Sequence, residues 1–157
     1  MADLGESWVK SVLEEFGYKV IQMTTEDCLA FIDDNNVLLI EEKDNKYPLQ
    51  VGYLKVQTIS RDNKFPFRFN QINNHCKRVI DGFREQNKFF KIIPVFVVSN
   101  MLGNYVNYLI NPKGEVNYSG IFFFVNKKYF RDWVISFPKT FIGFGGLERT
   151  NMYMGGK

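Results

Sequence analysis

The stretch that most constrains the fold is Asp27-Cys-Leu-Ala-Phe-Ile-Asp-Asp-Asn-Asn-Val-Leu-Leu-Ile-Glu-Glu-Lys43. Two apolar segments, 28–32 and 37–40, flank Asp33-Asp34-Asn35-Asn36, residue types that tolerate the positive φ values of a tight turn. The pattern predicts a β-hairpin with a carboxylate opening its first strand and Glu41-Glu42-Lys43 closing its second. Antiparallel pairing brings Asp27 beside the end of the second strand. Because side chains alternate along a strand, Glu41 and Lys43 share one side and Glu42 takes the other. Asp27, Glu41 and Lys43 are therefore expected to converge.

Two carboxylates are hard oxygen ligands suited to Mg²⁺ or Mn²⁺, and a divalent ion held this way serves phosphate chemistry. A neighbouring ammonium group positions water or stabilises charge on the phosphate. An acid at one strand followed fourteen positions later by Glu-x-Lys resembles the PD-(D/E)XK nuclease superfamily. The resemblance implies an α/β fold with a mixed central β-sheet flanked by helices, restriction-endonuclease-like. It further implies hydrolysis of DNA phosphodiester bonds, with Asp27 and Glu41 as metal ligands and Lys43 as the catalytic lysine.

The flanking sequence fits that layout. Residues 5–17 read as an amphipathic helix, with Trp8, Val9, Val12, Leu13 and Phe16 at helical spacing and Gly17 as a left-handed stop. A strand over 18–23 follows. A helix ending in Gly-Tyr-x-Val before an acidic hairpin is how many members of the superfamily begin. Glu6 resembles the acid that some of them carry on the first helix, and it also fits as a charge complementing the helix dipole.

After the hairpin, residues 50–59 read as a long β-segment running into a basic loop and a helix over 70–86. This part is similar to phage and bacterial Holliday-junction resolvases, where a polar loop, a Pro-hydrophobic pair and a helix carrying Gln or His follow the Glu-x-Lys strand. Pro66-Phe67, Gln71 and His75 match those later positions, and Lys55-Val56-Gln57 then occupies the Glu-x-Lys slot. Two registers stay open: Asp27, Glu41 and Lys43, or Glu42 with Lys55 and Gln57. In the second register the site is altered or dead, and the chain is then an inactive nuclease-fold protein that binds nucleic acid or a protein partner. Lys55 reaches the carboxylates in both registers if the strands lie side by side. His75, the single histidine, reads as a partly buried, hydrogen-bonded imidazole.

Arg61, Lys64, Arg68, Gln71, Lys77 and Arg78 surround this loop and helix and form the candidate DNA-contacting set. Downstream, 89–100 carries an apolar run typical of a strand buried on both faces, with Pro94 suggesting where the strand begins. The strand–helix–strand order predicts a right-handed crossover between parallel strands. Further strands are expected over 105–110 and 120–125, then an amphipathic helix over 127–137 with Tyr129, Phe130, Trp133 and Val134 facing the core.

At 157 residues the chain suits one nuclease-like domain, with a core over about 5–137 and a C-terminal tail over 138–157. A net charge of +3 permits a nucleic-acid partner without demanding one. Cys28 and Cys76 make no paired-ligand motif, so buried free thiols in a reducing compartment are expected. No apolar run is long enough to span a membrane and no cleavable leader opens the chain, so a soluble, cytoplasmic protein is expected. A homodimer is expected if both strands of a duplex or junction are cut.

Overall fold

A computed structural model describes residues 8–24, 27–48, 69–109 and 121–143. Helix α1 (Trp8–Glu15) leads into β1 (Lys19–Gln22), β2 (Asp27–Phe31) and β3 (Asn36–Lys43). Helix α2 (Phe69–Arg84) then precedes β4 (Lys91–Val98), β5 (Tyr105–Leu109) and β6 (Ile121–Asn126). A 3₁₀ turn at Lys127–Tyr129 runs into α3 (Phe130–Gly143). The strands form one mixed sheet in the order β1-β2-β3-β4-β6-β5, so the expected α/β architecture is present.

The predicted left-handed stop ends α1. Gly17 has φ +89, its N–H donates to the Glu14 carbonyl at 3.0 Å, and the Tyr18 N–H donates to Leu13 at 3.2 Å. That pair of bonds satisfies the orphan carbonyls of the last turn. Asn87 (φ 59) closes α2 in the same way, with Lys88 donating to Phe83 at 2.9 Å.

The hairpin forms, but without the positive φ expected of its turn: among the described non-glycine residues only Asn87 has one. Asp33 Oδ1 accepts from the Asn35 and Asn36 N–H groups at 2.7 and 2.8 Å, an Asx turn that fixes the reversal. The β2–β3 register pairs Phe31 with Val37 and Asp27 with Glu41. Strand β3 then pairs parallel with β4, and α2 is the crossover between them. The 50–59 segment, expected to lead into the helix as a strand, lies outside the described residues. Within the described sheet β4 has β3 and β6 as its neighbours.

Alternation sorts the two faces. Cys28, Ala30, Leu38, Ile40, Ile93, Val95, Val97, Phe123 and Val125 pack against α1 and α3. The residues between them face α2, where Phe31, Phe83 and Phe90 meet edge to face, the closest pair with ring centroids 4.7 Å apart. Trp133, Phe130 and Phe96 are fully buried.

Three further expectations are corrected. Strand β4 begins at Lys91 and carries Pro94 in its interior, paired with Leu39. The Lys91 N–H donates towards β3, to Asn35 at 2.7 Å, so by alternation residue 94 presents its nitrogen to the β6 side. The β4–β6 ladder starts only at Val95 although β6 extends back to Ile121, so the ladder stops where Pro94 has no N–H to donate. Second, Trp8 and Phe16 are 41% and 42% exposed, while Val9, Val12 and Leu13 are buried. Phe16 follows the last helical residue, and Trp8 instead caps the Phe130 ring at a centroid distance of 5.8 Å. Third, the closing helix starts with a 3₁₀ turn that includes Tyr129 and continues through residues 138–143, past the expected boundary at 137. Among the described residues, no helix is long and apolar enough to cross a membrane.

Candidate metal centre

The hairpin register sets two carboxylates directly opposite each other. Asp27 opens β2 and Glu41 lies across from it near the end of β3, which keeps their side chains on one face of the sheet. Both side chains are only 17% exposed. Like charges opposed in this way repel, and partial burial strengthens the repulsion by excluding water. Such a pair calls for a positive partner.

Helix α2 supplies one. Cys76, Val79 and Phe83 bury their side chains against the sheet, and that stripe carries the neighbouring His75 to its edge, over the carboxylates. His75 Nδ1 lies 3.1 Å from Glu41 Oε1 and Nε2 lies 3.9 Å from Asp27 Oδ2. The ring's pKa is held above its ordinary value, foremost by the hydrogen bond to Glu41. Burial opposes that shift, the charges of Glu41 and Asp27 add to it, and the positive charge of Arg78 opposes it.

One donor atom from each of Asp27, Glu41 and His75 lies within 4.8 Å of the others. Ligands of an ion at about 2.1 Å sit about 3.0 Å apart when adjacent and about 4.2 Å apart when opposite. The 3.1 Å from Nδ1 to Glu41 Oε1 matches adjacent ligands, whereas the 3.9 Å to Asp27 Oδ2 is measured from the ring's other nitrogen, and one imidazole gives a single ion only one nitrogen. Two carboxylates and an imidazole are donors of the type that a divalent cation accepts.

The other sequence-selected residues divide. Lys43 follows Glu41 by two positions on β3 and shares its face by alternation. With Glu42, Asp44, Val97 and Lys127 it lines a cleft of about 350 Å³ at the carboxyl end of β3. Glu42 faces the α1 and α3 layer, where its Oε2 lies 3.5 Å from Lys127 Nζ. Arg78 is exposed, yet near enough for its charge to act on His75. Lys77 is also exposed and pairs with Asp81 at 2.7 Å. Gln71 belongs to the backbone of α2, and its side chain lies outside the description. Glu6, Lys55, Gln57, Arg61, Lys64 and Arg68 lie outside the described residues.

His75 is the site residue that sequence reasoning left as a structural imidazole. A usable signal was present: on a helix whose buried stripe is 76, 79 and 83, position 75 flanks the sheet-facing side. Cys28 and Cys76 are free and buried as expected. Burial pushes both thiols up to about 12, so neither serves as a thiolate nucleophile near neutral pH. No protein-family model, curated protein or solved structure matches this chain.

Proposed function

We propose that the chain is a divalent-metal-dependent nuclease of restriction-endonuclease-like fold that hydrolyses phosphodiester bonds in DNA, including branched forms such as junctions. The observation that carries this reading is the opposition of Asp27 and Glu41 on one sheet face, with Lys43 two residues beyond on the same strand. The element order supports it: a helix, three antiparallel strands, a helix and a parallel strand. The acid opens the second strand and Glu-x-Lys closes the third, as in the superfamily the sequence resembles.

Asp27 and Glu41 hold the cation, Mg²⁺ or Mn²⁺, with His75 beside them. When bound, such an ion lowers the pKa of a coordinated water and neutralises phosphate charge. Lys43 orients the attacking water and stabilises negative charge on the phosphate, next to the ligands but not among them. Arg78 adds positive charge at the rim, where the polyanion approaches.

The test is cleavage of linear, nicked and branched DNA in Mg²⁺ or Mn²⁺ by the full chain and by Glu41→Ala. Cleavage by the wild type and its loss in the variant are expected. Equal cleavage by both removes Glu41 from the reaction. Salt-sensitive DNA binding without cleavage by the wild type favours instead the inactive binding protein that Lys55-Val56-Gln57 suggested.

A further inference from the structure

Resting on the nuclease reading but going beyond it, we propose that Asn45 is the positioning residue for Lys43, holding the root of that lysine still by clamping the end of β3 to the end of β4. Strand β3 ends at Lys43, level with Val98 of β4, and one more bond follows, from the Ser99 N–H to the Lys43 carbonyl at 3.0 Å. There the ladder stops, and a side chain takes over from the main chain. Asn45 Oδ1 accepts from the Asn100 N–H at 3.1 Å, and Nδ2 donates to the Asn100 carbonyl at 2.6 Å. The carboxamide thus meets residue 100 as a peptide group of a neighbouring strand would, through one donor and one acceptor.

The rest of the amide's capacity is also used. Nδ2 donates a second bond to the Tyr47 carbonyl at 2.8 Å, and Oδ1 accepts a second from the Ser99 hydroxyl at 3.3 Å. The Asn45 N–H in turn donates to Ser99 Oγ at 3.1 Å, and Asn100 Nδ2 donates to the Lys46 carbonyl at 3.3 Å. Asn45 is half-buried between the exposed Asp44 and Lys46, so this network anchors a stretch that has little apolar packing of its own. Lys43 therefore hangs between two fixed points, the β3–β4 ladder before it and the clamp after it. A lysine reaches through a flexible four-carbon stem, and an ammonium that must meet water or phosphate in the transition state gains from a root that does not move. Fraying of this strand end by about 1 Å is enough to cost catalysis about 100-fold.

The test compares the full-length wild type with Asn45→Ala, Lys43→Ala and the double variant in DNA cleavage. Asn45→Ala is expected to lower kcat at least about 30-fold while KM stays within about threefold. On the Lys43→Ala background the same change is expected to lower kcat by less than about threefold, because its effect passes through the lysine. Hydrogen exchange at the Ser99 amide, which the Lys43 carbonyl holds, reads the clamp without any reaction. Exchange is expected to be slow in the wild type and at least about 100-fold faster in Asn45→Ala.

A Ser99 amide that exchanges freely in the wild type overturns the clamp, and that measurement needs no variant to fold. Additive losses, in which Asn45→Ala costs as much without Lys43 as with it, overturn the positioning and leave Asn45 a prop of the sheet end. A raised KM with unchanged kcat overturns it as well. The inference and the reading beneath it fail separately. Release of the Ser99 amide in Asn45→Ala, with no cleavage by the wild type, sinks the nuclease and leaves the hold on Lys43. Wild-type cleavage that Asn45→Ala does not alter does the reverse.

Discussion

Two adjacent glutamates on β3 end up in opposite environments. Glu41 faces α2 and meets a second carboxylate and an imidazole. Glu42, one residue on, turns to the α1 and α3 layer and meets the ammonium of Lys127, which also lies 6.0 Å from the centroid of the Trp8 ring. Its Oε1 is buried with no hydrogen-bond partner among the described residues. One ammonium facing one carboxylate is a closed ion pair, whereas two carboxylates and an imidazole form a multidentate donor set. The difference teaches that a Glu-Glu dipeptide carries no chemistry by itself. The pleat decides which carboxylate meets partners of the kind that hold a cation.

If the Glu42 face is structural, its core should show the largest loss of stability. Trp133→Ala removes a fully buried ring from that layer and is expected to lower unfolding free energy by about 3–5 kcal/mol in a denaturant titration. A loss below about 1 kcal/mol would mean that the layer repacks.

The two glutamates themselves sharpen the contrast. Glu41→Ala is expected to reduce Mn²⁺-dependent cleavage at least about 100-fold, or about 2.7 kcal/mol in the barrier. Glu42→Ala is expected to stay within about threefold of the wild type. Comparable losses from both would erase the distinction.

A smaller effect concerns pH. The folded-state pKa of His75 is raised above 6.5, first by the Glu41 hydrogen bond. Its protonated ring therefore stabilises the metal-free fold fully below the unfolded value, and that contribution disappears as pH rises through the folded value. Between pH 6 and pH 8.5, the urea midpoint of the metal-free wild type should fall more steeply than that of His75→Gln. The opposite ordering of slopes would reverse the sign assigned to the ring. Smallest of all, Lys127→Met removes a 41% exposed side chain but takes the ammonium from a carboxylate that is only 16% exposed, and should lower stability by about 1 kcal/mol.

Much of this arrangement was legible in the sequence because it rests on local rules. The Asp33–Asn36 turn and the alternation of 28–32 and 37–40 fix the hairpin register, and the register alone sets Asp27 opposite Glu41. Gly17 announced the end of α1 for an equally local reason, its freedom to adopt positive φ. His75 was harder. It reaches Glu41 across thirty-four residues, and its role depends on how α2 rotates on the sheet, which no window of sequence contains. Trp8 failed in a related way, because an eight-residue helix presents too narrow a stripe to bury every apolar residue near its ends. Pro94 misled because the rule against proline in central strands assumes a partner on both sides at that level, and β6 does not pair there.

That same proline acts as a stop against slippage. Sliding β6 two residues towards the amino end of β4 would keep every side chain on its proper face, so hydrophobic patterning alone does not forbid the shift. It would, however, ask position 94 for a donor that the pyrrolidine ring lacks. Slippage in that direction is thus blocked, and Asn126 stays level with Val98, just ahead of the turn that starts the third helix.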